Sequence, residues 1–485
     1  MNTIEELLQK RPFRSSELVQ ELVKIEKVTP ETARKRLSRA KPPVKRLESV
    51  KLPNREMIYF YEDQFGTSKF LDKVTDILIE TNSAAGRALI GLKTVGGTLP
   101  LSMFAKASGT ATIHSTKHLH FQKALDQLTE LNLAHITKSG SNDDLVCLHG
   151  MDDIPSKQQA TFIVEGIMLP IVKSWLANLG IGSFNKIKIR EEDPRYGAFA
   201  WDMVGPSYVN GIVNFKGGKI QNGFVIGDVI LNKKITIDLL KPFLYKFNSL
   251  KNQKNIRPFM ILIVADYFES KALNELRKRG VIIASPKTIL GQENADVLKS
   301  LIKSIDNAAK IIKDKPDDFI GIIKKLNKIE GASLNLRSVV LDFIIARLYS
   351  IQGFECQFRS KIQTSNGDRA EIDVVASRAE SIVCIEGKAV APGNKVQKKE
   401  IEDWINKSFP KIKKWMAESK IFDKMRRIEF YSSTEYEEEA LGLINEVERE
   451  YKKIPIRFFK SSDIIKKLKD FKQHSLVEIY KEPFM

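Results

Sequence analysis

Asn366-Gly367-Asp368-Arg369-Ala370-Glu371-Ile372-Asp373-Val374-Val375, followed by Ser381-Ile382-Val383-Cys384-Ile385-Glu386-Gly387-Lys388-Ala389, decides how this 485-residue chain is read. A strand is predicted over 371–377, leaving the Asn366-Gly367 turn. The unbroken apolar run from Ile382 to Ile385 predicts a short buried strand over 381–389. Side chains two apart on a strand share a face. Glu386 and Lys388 are therefore expected side by side, with Gly387 letting a backbone carbonyl approach. A tight hairpin brings Asp373 to the same place, and Glu371 shares its face as a further candidate ligand. Two hard oxygen ligands beside open positions suit Mg2+, with Mn2+ as a substitute, because such an ion keeps waters and binds substrate phosphates. It would polarise a phosphate and lower the pKa of a bound water. The lysine adds fixed positive charge where negative charge grows.

Around this stretch the pattern alternates. Helices are predicted over 336–350, 399–417 and 440–451, and further strands over 355–359, 428–432 and 456–459. Such alternation gives an α/β sandwich with a partly parallel sheet. The set resembles the PD-(D/E)xK, or restriction-endonuclease-like, nuclease superfamily over roughly residues 330 to 465. Asp373, Glu386 and Lys388 match its motif, while Ile372 stands where the family's leading proline belongs. The resemblance implies that Asp342, on the first helix, takes the place of a further catalytic acid. It implies that Asp373, Glu386 and Gly387 hold the metal, and that double-stranded DNA is the substrate. Asp, about a dozen residues, then Glu-x-Lys is a short motif. Its weight comes from the turn, the buried strand and the helix around it, against the plainer reading of a strand pair with charged ends.

Residues 151–294 read as an earlier copy of the same plan. Helices are expected over 162–179, 235–251 and 271–278, with strands over 186–190, 198–204, 224–231, 260–265 and 281–284. Glu165 lies on the first helix and Asp202 on the second strand. Asp228 ends the buried run Phe224-Val225-Ile226-Gly227. Ile230 takes the lysine's position, and Lys233 or Lys234 replaces it only with a different geometry. A degenerate site with a binding or scaffolding role is expected. Residues 295–330 read as a basic helical connector, and the second nuclease-like domain as 331–485.

Residues 1–65 read as a winged helix-turn-helix. Its helices begin at Ile4, at a Ser15-Ser16 cap, and at Thr29-Pro30, where Thr29 is the N-cap and Pro30 the first helical residue. Strands over 44–52 and 57–61 make the wing. Between residues 30 and 46 there are seven bases against the single acid Glu31. Arg34, Lys35, Arg36, Arg39, Lys45 and Arg46 are the candidate DNA contacts, since a basic helix beside a basic hairpin suits a major groove flanked by phosphates. Residues 66–150 read as a second winged-helix-like unit, with helices over 70–79, 84–92, 99–107 and 118–133 and a wing over 134–137 and 145–148. Five of the six histidines fall between 114 and 149. His114 and His118 have ligand spacing, but no Cys or acid accompanies them, so a metal there is not expected.

Composition bounds the rest. The chain is 42% hydrophobic and 28% charged, as in globular proteins. A net charge of +18 favours a polyanionic partner. Three dispersed cysteines exclude a disulfide framework. With no signal-like start and no long apolar run, the expectation is a cytoplasmic protein without a membrane partner. A homodimer is allowed and not specified. The fold expected is multidomain α/β: N-terminal winged-helix (α+β) units, then two restriction-endonuclease-like α/β/α domains. The function expected is a metal-dependent DNA endonuclease, with restriction or phage defence added by fold-level analogy. Two other readings stay open: a DNA-binding regulator with inactive nuclease folds, and a nuclease of repair, recombination or transposition.

Overall fold

The computed structural model describes residues 2–484 except 51, 115–117, 139–143, 184, 217, 308–320, 323, 326–332, 380, 419–424 and 452. The chain is a mixed α/β assembly with several sheets. Its first unit runs α1 (Thr3–Lys10), β1 (Phe13–Arg14), α2 (Ser15–Glu26), α3 (Pro30–Ser38), β2 (Val44–Leu47) and β3 (Ile58–Tyr61). Thr29 caps α3 as its sequence predicts, its hydroxyl accepting from Thr32 N at 3.3 Å. Ser15 is no cap. It is the first helical residue, and its hydroxyl accepts from Met57 N at 3.3 Å, tying α2 to the residue before β3. The strand expected over 44–52 stops at Leu47 because Val50 and Leu52 turn away to bury themselves with Phe60 and Phe70.

The second unit contains α4 (Ser68–Glu80), α5 (Ala84–Thr94), β4 (Thr98–Pro100), α6 (Leu101–Ser108), α7 (Phe121–Glu130), β5 (Ala134–Thr137) and β6 (Leu145–Leu148). From α5 onward it repeats the element order of the first unit. The sheets also match, β1-β3-β2 in one and β4-β6-β5 in the other. β1 and β4 carry no signal in the sequence. They are two and three residues long and exist only through the pairings Phe13–Tyr59 and Thr98–Cys147.

A long helix, α8 (Ser156–Asn178), opens the earlier α/β half. Next come β7 (Lys188–Ile189), the small hairpin β8 (Arg195–Tyr196) and β9 (Phe199–Ala200), and then β10 (Met203–Ser207). A second hairpin, β11 (Asn214–Lys216) and β12 (Lys219–Gln221), precedes β13 (Gly223–Ile235). The half ends with α9 (Lys241–Lys251), β14 (Phe259–Phe268), α10 (Ser270–Lys278), β15 (Ile282–Ala284), α11 (Pro286–Leu290) and α12 (Gln292–Asp306). β13 outruns expectation, passing Asp228 to end at Ile235, so the helix predicted from 235 begins at Lys241. The connector predicted over 295–330 is helical to Asp306, and most of the remainder lies outside the described residues.

The later half has α13 (Ser333–Ile351), β16 (Glu355–Gln363), β17 (Arg369–Arg378), β18 (Ser381–Lys388), α14 (Lys398–Lys407) and α15 (Phe409–Glu418). It continues with β19 (Met425–Ser432), α16 (Glu438–Glu450), β20 (Ile456–Phe459), α17 (Ser461–Asp470) and α18 (His474–Phe484). The single helix predicted over 399–417 is two, broken at Ser408. The two halves share a sheet plan. The orders β7-β10-β13-β14-β15 and β16-β17-β18-β19-β20 are each antiparallel at the first two joints and parallel at the last two.

Helices α8 and α13 pack on one face of their own sheets and against each other. Val164 and Ile167 of α8, Leu301 of α12, Leu341 and Ile344 of α13 and Tyr480 of α18 share one apolar cluster. α8 is long and apolar enough to cross a bilayer, at mean hydropathy 1.4, but most of its apolar window is buried in protein. It behaves as a core helix.

The second unit is seated on the earlier half. Thr112 N donates to Ala198 O at 2.8 Å, and the Arg87 guanidinium lies 3.4 Å from the Tyr245 ring centre. Gly109 is the tightest point. Its φ is +61°, and an added Cβ would stand 2.4 Å from Pro242 O. Gly109→Ala should therefore destabilise this junction by at least about 1–3 kcal/mol through backbone strain alone. Thermal melting and limited proteolysis between residues 66 and 150 check it. Unchanged melting and digestion would show that the close approach does not hold the junction.

Candidate active site

In the later half, Val374 and Ile385 are the last register pair between β17 and β18. One residue further on, Asp373 and Glu386 leave the ladder together. Gly387 N donates to Asp373 Oδ2 at 2.9 Å. Asp342, 2% exposed on α13, reaches the same point from below the sheet. A Cβ on Gly387 would lie 2.5 Å from Asp342 Oδ1, so only glycine leaves room for that carboxylate. The structure thus brings Asp342, Asp373 and Glu386 together as the sequence reading required. It gives Gly387 the work of an N–H donor and a spacer.

The electrostatics of this cluster are unbalanced. Burial, then the Asp373 charge, raises Asp342 well above the usual carboxylate range. Burial, Asp373 and Asp342 do the same to Glu386, and burial raises Asp373. Among the described residues, Arg359 is the cation that faces them closely. Arg359 Nη2 is 3.8 Å from Asp342 Oδ2. Asp342 Oδ1 is buried without a hydrogen-bond partner. Buried polar atoms are seldom left so. Oxygen donors short of positive charge fit a hard divalent cation. As they stand, no three His, Cys, Asp or Glu side chains among the described residues form a ready ligand set.

Lys388 departs from expectation. Its Nζ turns to Glu400 Oε1 at 2.8 Å, on the first turn of α14. Glu400, despite partial burial, is held below its ordinary range by Lys388 and by Gln397 N. The sequence reading missed both Glu400 and Arg359. Glu400 follows Gln397 at capping-box spacing, which signals a helix start and says nothing about Lys388.

The earlier half is built on the same register and is closed. Met203 pairs with Gly227, which sets Asp202 beside Asp228 as Asp373 is set beside Glu386. Asp202 lies just before β10, not within a strand over 198–204, and Asp228 lies inside β13, not at its end. Asp202 Oδ2 accepts from Val229 N at 2.9 Å, the counterpart of the Gly387 bond. Here every acid has a cation. Arg190 bridges Asp202 at 2.8 Å and Glu165 at 2.9 Å, Lys106 of α6 reaches Asp202 at 3.0 Å, and Lys246 of α9 reaches Asp228 at 2.6 Å. Lys246 is fully buried, 3.8 Å from the Trp201 ring centre. Burial lowers its pKa, while Asp228 works against that. The cavity left is about 40 Å3. The lost lysine at Ile230 is thus replaced by cations from three other elements, none of which the motif marks.

Arg34, Lys35 and Arg36 on α3 and Arg39, its C-cap, are exposed. Arg36 pairs with Glu26, Lys45 with Glu62 at 3.2 Å and Arg46 with Glu48 at 3.7 Å. The histidines hold structure. His114 stacks on His120 at 4.3 Å, His118 meets the Tyr245 hydroxyl at 3.1 Å and His135 meets Asp152 at 3.0 Å.

The earlier cluster yields a stability test. Lys246→Met keeps volume but strands Asp228 in the interior, and breaking such a pair costs about 3–5 kcal/mol. Pairing it with Asp228→Asn should recover most of that loss in denaturant unfolding. Equal stability of the single variant and the parent would show that the ion pair is not what closes this site.

No family model matches the chain, and no curated protein matches it. Among solved structures the chain is similar to a protein of unknown function, AF1548, at 17% identity and TM-score 0.21 over 30% of this chain and 88% of that one. It is also similar to protein VC1899 from Vibrio cholerae, at 13% identity and TM-score 0.16 over 50% of this chain and 57% of that one.

Proposed function

We propose that the later half is a metal-dependent DNA endonuclease of the PD-(D/E)xK kind and that the two N-terminal units are winged helix-turn-helix modules that hold double-stranded DNA. The observation that carries this reading is the cluster of Asp342, Asp373 and Glu386 at the end of a β-hairpin, short of positive charge, with a buried oxygen of Asp342 left unpartnered. Asp373 and Glu386 would hold Mg2+ or Mn2+, with Asp342 next to them. Such an ion, when bound, polarises a phosphodiester and makes a bound water a better nucleophile.

The chain's own groups do the rest. Gly387 N fixes the orientation of Asp373 through its 2.9 Å bond. Lys388 carries the fixed charge that offsets negative charge developing on phosphate oxygens, and Glu400 holds the lysine in place when no substrate is present. The earlier half has spent its acids on internal ion pairs and serves as scaffold. A regulator with two inactive folds would pair its acids with cations in both halves, whereas the acids of the later half are faced by Arg359 only at 3.8 Å. Restriction or phage defence in the cytoplasm is the setting that fits a basic DNA-binding arm fused to a nuclease. Repair, recombination and transposition remain alternatives of the same chemistry.

The test is plasmid DNA with Mg2+ or with a chelator. Asp373→Ala, Glu386→Gln and Lys388→Ala should each lower cutting by at least about 100-fold, since a single transition-state stabiliser is worth about that much. Mg2+ should also raise the melting temperature of the parent, and this shift should vanish in Glu386→Gln. The paired variant Lys246→Met with Asp228→Asn should cut within a few fold of the parent. Loss of cleavage in that folded variant would make the earlier half a second working centre.

The DNA-binding reading has its own measurement. Neutralising Arg34, Arg36 and Arg39 should weaken affinity and reduce the slope of log affinity against log salt by about one for each phosphate no longer neutralised. An unchanged slope would assign the first unit to another partner.

A further inference from the structure

The two halves share an arginine that the Asp–Glu–Lys motif does not include. Ile189 pairs with Met203, which sets Arg190 opposite Asp202. Phe358–Val374 and Ser360–Ile372 bracket Arg359, which sets it opposite Asp373. The register is the same, but the use differs. Arg190 spends its fork on two acids, at 2.8 and 2.9 Å, and those charge-assisted bonds close the earlier site. Its cavity of about 40 Å3 holds little more than a water.

Arg359 is held back. At 3.8 Å from Asp342 it is within ion-pair reach and outside hydrogen-bond reach. Its backbone has φ +45°, a left-handed conformation inside a strand that costs a non-glycine residue about 1–2 kcal/mol. It lines a cavity of about 180 Å3 that opens between the two halves, with Gln159 and Ile163 of α8, Asp306 of α12, Asp342 of α13 and Gln357 beside it; Asp342 is the member of the acid cluster that reaches this cavity. Burial works to lower its pKa, but Asp342, Asp373, Glu371 and Glu386 together hold it above the ordinary arginine value. A charged planar fork, strained into position, stands opposite Asp373 in the strand register and beside Asp342, at the edge of that cavity. That geometry matches a phosphate, whose oxygens accept two parallel N–H bonds.

We propose that Arg359 contacts a non-bridging oxygen of the scissile phosphate and is a catalytic residue of the later site. The proposal rests on the nuclease reading given above. A cation held by the acids would offset their charge in place of the guanidinium, which would leave the Arg359 fork for the substrate.

The experiment is single-turnover cleavage of a labelled duplex by the full chain, with Glu386→Gln as the inactive control. Arg359→Lys keeps the charge and loses the fork. Its cleavage rate should fall by about 100-fold at saturating Mg2+. Duplex affinity, the Mg2+ concentration giving half the maximal rate and the melting temperature should stay within about threefold or a few degrees of the parent. Added guanidinium at millimolar concentration should restore part of the rate in Arg359→Ala and none in Glu386→Gln. Arg359→Lys cutting at the parent rate would overturn the proposal. So would a loss that extra Mg2+ erases, because Arg359 would then be only a counter-ion for the acids. If Arg359→Ala does not fold, Arg359→Lys alone decides. A parent that leaves every duplex intact would overturn the nuclease reading itself, and this proposal with it.

Discussion

A carboxylate taken out of water must find a positive partner or give up its charge. Both halves of this chain are organised around that constraint, and they meet it in opposite ways. The earlier half supplies Arg190, Lys106 and Lys246 to Glu165, Asp202 and Asp228, so each acid is neutralised where it stands. The later half supplies one guanidinium at a distance to Asp342, Asp373 and Glu386, and turns its lysine aside to Glu400. In the first arrangement every acid has a cation beside it. In the second the acids are displaced toward the protonated form.

The same sheet plan yields both outcomes because the differences lie at single positions. Gly387 leaves a space that Asp342 Oδ1 fills. In the equivalent place the earlier half has Val229, whose branched side chain leaves no such space. There the helix acid is the longer Glu165, which reaches past it to Leu231 N at 3.0 Å. Lys388 is replaced by Ile230, and charge arrives instead from α6 and α9. Opening or closing the site therefore needs no change in strand order, only in which side chains fill the strand ends.

Closure of the earlier site also has a structural use. Lys106 belongs to the second N-terminal unit, so its ion pair with Asp202 fastens that unit to the sheet. Val50 and Leu52 bury themselves with Phe70, joining the first unit to the second. α8 and α13 share one apolar cluster, joining the two halves. A packed path thus runs from the basic helix α3 toward the later half, through a set of acids that are held in internal ion pairs.

Much of this was legible in residue order. The 3.6 and 2.0 periodicities located most helices and strands, Thr29-Pro30 marked the start of α3, and the spacing of Asp373, Glu386 and Lys388 singled out one hairpin. These are local signals, set by dihedral preference and by which face of an element is apolar. The sequence could not show β1 and β4, which exist only through their partners, nor that β13 runs on to Ile235. Nor could it show Arg359, Glu400, Lys106 or Lys246 as members of the two sites, since each comes from a different element than the motif. Residue order by itself determined which acids are offered at the strand ends. Tertiary structure alone decided which cations reach them, because charges interact through distance in space and chain spacing does not encode it.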